Sequence, residues 1–68
     1  MNTLELNRIK VVLAETKNKN KWLAEKVGKD VSTISQWCTN SRQPSLEMLY
    51  NVAKAMDVDV RELLHPTK

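Results

Sequence analysis

Cys38 is the chain's one cysteine and His65 its one histidine, so its 68 residues supply neither a disulfide framework nor the side-chain ligands of a zinc site. A chain this short buries only about 60% of its unfolded surface. Without staples its stability must come from packing, helped by a partner. The same lack of staples suits a reducing, cytoplasmic setting, because secreted domains of this size usually carry disulfides. One domain over residues 1–68 is expected. The longest apolar run is Val11-Val12-Leu13-Ala14, and the N-terminal residues lack the basic and apolar regions of a leader. Neither a membrane span nor a signal peptide is expected.

The packing must be helical. A single glycine, two prolines and 41% hydrophobic residues fit a compact helical chain better than strands or disorder. Leu6, Ile9, Leu13 and Thr16 make a stripe for a first helix over about 4–16, capped by Asn2 or Thr3, with Val11 and Val12 beside the stripe. A second helix opens near Asn20, turns Leu23, Ala24 and Val27 inward, and stops at Gly28. Asp30 is a suitable cap for a third helix over 31–39, anchored by Ile34 and Trp37. After a loop at 40–44, Ser45 caps a fourth helix with Leu46, Leu49, Val52, Ala53 and Met56 inward. Asp59 and Glu62 fit a capping box for a short fifth helix that Pro66 ends. The expected fold is therefore all-α, with five helices.

The net charge of +3 is unevenly placed. Residues 17–44 hold six cations (Lys17, Lys19, Lys21, Lys26, Lys29 and Arg42) against Glu25 and Asp30, while the N-terminal third is neutral and the C-terminal third slightly acidic. A cationic centre suits a polyanion, although a solvated surface has the same composition. The third helix tips the balance. Its outward face is Val31, Ser32, Ser35, Gln36 and Thr39, which are short and uncharged where an ordinary exposed helix carries Lys and Glu. Such side chains can approach base edges in a major groove while flanking cations meet phosphates.

Four blocks resemble one family in order and separation: Leu23-Ala24-Glu25-Lys26-Val27-Gly28, Ser32-Thr33-Ile34-Ser35-Gln36-Trp37, Pro44-Ser45-Leu46-Glu47 and Val58-Asp59-Val60-Arg61-Glu62-Leu63-Leu64. They are similar to the phage repressor and Cro-like (XRE-type) helix-turn-helix regulators. The variants Asn20-Lys21-Trp22-Leu23 and Trp37-Cys38-Thr39-Asn40 resemble small members from Bacteroides-like bacteria. The resemblance implies a five-helix, lambda-repressor-like domain with its helix-turn-helix at about 20–39, binding operator DNA through helix 31–39. It places base contacts on Val31, Ser32 and Gln36, to which the outward face adds Ser35. Phosphate contacts fall on Asn20 and Arg42, with Lys21, Thr33 and Thr39 alongside them. The expected partner is a palindromic double-stranded operator bound by a homodimer, with self-contact through Pro44, Val58 and His65. Two glycines of the family pattern are Asn40 and Asp57 here, both of which tolerate left-handed backbone, and its frequent Arg–Glu pair becomes Leu13 and Cys38.

The rival from another class is a protein-interaction module, antitoxin-like or an adaptor, on the same scaffold. The polar centre of the third helix's face argues against it. RNA binding would need stacking aromatics, and only Trp22 is a candidate, read here as a half-buried cover. Cys38 reads as a packed thiol and His65 as a favourable contact with the last helix's dipole. No nucleophile or carboxylate is set with a histidine base, so no enzyme, cofactor, metal or small-molecule effector is expected.

Overall fold

The computed structural model describes residues 5–67. Four α-helices, α1 (Ile9–Glu15), α2 (Asn20–Val27), α3 (Val31–Cys38) and α4 (Leu46–Met56), are followed by a 3-10 turn, Val60–Leu63. The expected fifth α-helix is thus a four-residue 3-10 turn. Leu64, directly after it, is already paired with Asn7 in an antiparallel bridge, so the chain straightens there.

That bridge also explains why α1 begins at Ile9 instead of near residue 4. Arg8 N donates to Leu63 O at 2.7 Å and His65 N to Leu6 O at 3.1 Å. The Leu6 carbonyl and the Arg8 amide are therefore spent on the C-terminal segment. The Asn7 side chain then accepts from Ile9 N at 3.0 Å and opens the helix. The proposed caps Asn2 and Thr3 lie outside the described residues. Leu6 and Thr16, expected on the inward stripe, are both exposed.

Ile9, Val12, Leu13, Leu23, Ala24, Ile34, Trp37, Leu49, Val52, Ala53, Met56 and Leu63 form one core. Val12 belongs to it and Val11 does not. Trp22 is half-buried against this core, with Lys26 Nζ 5.9 Å from its ring centroid. Leu46, expected inward, is 71% exposed. It stands on the first turn of α4 and lines an apolar groove with Leu6, Pro44 and Leu64.

Each α-helix ends on a residue with left-handed backbone: Lys17 (φ 60°), Gly28 (70°), Asn40 (61°) and Asp57 (57°). In each case the next residue's N–H reaches back across the last turn, as in Asn18 N to Leu13 O, Lys29 N to Ala24 O, Ser41 N to Gln36 O and Val58 N to Ala53 O. These are Schellman closures, which satisfy carbonyls that a helix end otherwise leaves unpaired. At the other ends Ser45 caps α4 by accepting from Met48 N at 3.0 Å. Asp30 and Glu62 do not act as expected. The Asp30 side chain makes no capping bond to α3; its backbone carbonyl accepts from Thr33 N and Ile34 N. Asp59 accepts from Arg61 N at 2.8 Å. Its backbone carbonyl accepts from Glu62 N at 2.9 Å, the tighter 3-10 spacing that replaces a reciprocal box.

Candidate nucleic-acid interface

Helix α3 is held from behind by Ile34, fully buried, and Trp37, 4% exposed. Those two anchors fix which residues face out. Val31, Ser32, Ser35, Gln36 and Thr39 are exposed, and Thr33 is half-buried at the edge of the face. The exposed set carries no charge. Gly28 closes α2 with the φ of 70° that a glycine adopts without penalty, and a Cβ there would meet nothing within 4 Å. The sharp turn it makes sets α3 against α2.

The proposed phosphate contacts divide by environment. Lys21 and Arg42 are exposed. Asn20, the first residue of α2, is half-buried, and its Oδ1 accepts from Cys38 Sγ at 3.6 Å. The Thr39 hydroxyl lies within hydrogen-bond distance of Gln36 O (3.2 Å) and of Ser41 Oγ (3.0 Å). Burial pushes the Cys38 thiol pKa up, with nearby Lys10 opposing it in part. The thiol therefore stays protonated and packs against the core, as the sequence suggested.

The loop leaving α3 is tied at both ends. Gln36 O accepts from Ser41 N (3.0 Å) and Arg42 N (3.2 Å), and also from Ser41 Oγ (3.2 Å). Behind the loop lies a cluster of side-chain amides that the sequence did not announce. Asn40 Oδ1 accepts from Leu6 N and Asn7 N, each at 2.9 Å, and from Gln43 Nε2 at 3.0 Å. Asn40 Nδ2 donates to Asn7 O at 3.2 Å. Asn7 Nδ2 donates in turn to Trp37 O at 2.9 Å and Gln43 Oε1 at 2.8 Å. Asn7 and Asn40 are both buried, and among the described residues no buried side-chain polar atom lacks a partner. The available signal was a polar Asn7 between Leu6 and Ile9 on an apolar stripe, together with an asparagine where the family pattern has glycine.

The three proposed dimer contacts are not brought to one place. Pro44 lines a mostly apolar groove of about 250 Å³ with Leu6, Leu46, Leu49 and Leu64. Val58 is half-buried against the core instead. His65 lies past the 3-10 turn, so it does not sit on a helix end as expected; its Nε2 is 3.8 Å from Glu5 Oε1. Among the described residues no group of His, Cys, Asp and Glu could hold a metal ion, and no helix is long and apolar enough to cross a membrane.

Comparison with known proteins agrees with this geometry. No curated protein matches the chain. A crystal structure of a proposed DNA-binding protein from Bacteroides fragilis is similar at 58% identity and a TM-score of 0.87, covering 88% of this chain and 97% of that one. The restriction-modification controller protein C.AhdI from Aeromonas hydrophila is similar at 26% identity and a TM-score of 0.77, covering 84% of this chain and 86% of its own. The helix-turn-helix family model matches residues 17–63, more than half of the chain. With the turn at Gly28, the buried anchors of α3 and these likenesses in agreement, the chain belongs to the XRE-type helix-turn-helix family.

Proposed function

We propose that this protein is a small transcriptional regulator that binds double-stranded DNA in a sequence-specific manner by laying α3 in the major groove. The observation that carries the reading is the exposed, uncharged face of α3, with Lys21 and Arg42 exposed on the segments before and after it. The two solved relatives, a proposed DNA-binding protein and a restriction-modification controller, support the same reading. Gln36 has the bidentate amide suited to adenine, Ser32 and Ser35 the adaptable hydroxyls, and Val31 an apolar contact for a thymine methyl. Asn20 and Lys21 on α2, Thr33 and Thr39 at the edges of α3, and Arg42 in the loop after it meet the phosphates in this reading, fixing register without reading sequence.

A single short helix reads only about three or four base pairs, too few for selectivity in a genome. The functional unit is therefore a homodimer on a palindromic operator, with half-site centres about 34 Å apart. Pro44 joins Leu6, Leu46, Leu49 and Leu64 in the apolar groove, and this is the self-contact surface that best fits. Selection of sites from random duplexes tests the reading. The wild type should recover a palindrome, and Gln36→Ala should lose about 1 to 3 kcal/mol of discrimination at one base per half-site. An unchanged preference in Gln36→Ala, or saturation of the palindrome at one chain per duplex, would contradict it.

A further inference from the structure

The turn after α3 does not need the side chain it has. Gly28 makes the same left-handed turn, φ 70° against 61° at Asn40, with no side chain at all. Asn40 adds four hydrogen bonds to the N-terminal segment and to Gln43. Those bonds flank Arg42 in the chain, through Asn40 before it and Gln43 after it. The Arg42 amide is tied to Gln36 O, and the next residue, Gln43, is tied through its side chain to Asn7 and Asn40. Arg42 itself is exposed, so its neighbours on both sides are fixed while its guanidinium is free to reach outward.

We propose that Asn7, Asn40 and Gln43 are positioning residues of the DNA-binding surface, which lock the N-terminal segment against the end of α3 and so hold Arg42 ready for a phosphate. The inference rests on the reading of α3 as the DNA-facing helix. Its physical basis is placement: with its neighbours fixed, Arg42 is held where a phosphate contact forms, and without the lock that contact is lost. Asn7 extends the lock, because its backbone is bridged to Leu64 and its side-chain N–H reaches Trp37 O in α3. Three segments distant in sequence therefore converge on one loop.

A double-mutant cycle of Asn40→Gly and Arg42→Ala tests this, with binding to the selected duplex and to an unrelated duplex measured across a salt series. Glycine keeps the left-handed turn and removes the four hydrogen bonds of the Asn40 side chain. Asn40→Gly should weaken both duplexes by a similar factor, about tenfold, and lower the salt slope by about one, as expected for a lost phosphate contact. Adding it to Arg42→Ala should cost no more than about twofold further, because both changes remove the same contact. A merely structural role would lower the fraction of active protein and leave the slope unchanged. Gln43→Ala, at the exposed edge of the cluster, should give the same signature at smaller size, and it decides the matter if Asn40→Gly fails to fold. Wild-type slopes in the variants that fold, or independent effects of Asn40→Gly and Arg42→Ala, would overturn the inference alone. If Gln36→Ala and Arg42→Ala also bind as wild type, the reading of α3 falls with it.

Discussion

The turns on either side of α3 share a backbone conformation and a Schellman closure and differ in what their side chains do. At Gly28 a Cβ would meet nothing within 4 Å, so the position asks only for a φ that glycine tolerates. At Asn40 the φ is nearly the same, yet the side chain is buried and bonded to Leu6, Asn7 and Gln43. The first turn is a matter of backbone freedom; the second is also a junction. A left-handed position in a small domain can thus either be left empty or be used to fasten a distant segment, and only the second use makes the residue's identity matter.

Exchanging side chains should separate the two cases. The largest loss is expected for Asn40→Ala, which combines left-handed strain with the stranding of the Leu6 and Asn7 N–H groups, for a total of about 2 to 4 kcal/mol in chemical denaturation. A loss no greater than at Gly28 would mean that the amide bonds contribute nothing net. Gly28→Ala introduces strain alone and should cost about 1 kcal/mol. Lys17 offers the opposite sign, because it holds φ 60° without glycine's tolerance. Lys17→Gly should therefore raise the denaturation midpoint, by about 0.5 kcal/mol in stability, and a lowered midpoint would show that its side chain contributes more than its backbone costs.

How much was legible in the sequence follows the same division. The helices of the motif were readable because their signals are local: Gly28 ends α2, Ile34 and Trp37 are three residues apart on one face, and Ser45 caps α4. The N-terminal segment is not legible locally because its partners are distant. Leu6, Ile9 and Leu13 have helical spacing, but residues 6–8 gain more from bonding to 63–65 and to Asn40 than from another helical turn. Leu46 shows a related limit. Periodicity puts it on the inward stripe, yet it is exposed beside Pro44 and Leu64, which spacing within one helix does not register. The outward face of α3 was readable as a surface, since the anchors behind it fix the helix's rotation.

The central claim is that this face meets the duplex. A nuclear magnetic resonance titration of the labelled protein with its selected duplex addresses it most directly. The largest amide shift changes and intermolecular contacts should fall on residues 31–36, with a second set at Asn20, Lys21 and 39–42, while the outer face of α4 at Glu47 and Lys54 stays unchanged. Contacts between the duplex and Leu46, Tyr50 and Leu64, with 31–36 undisturbed, would contradict the account.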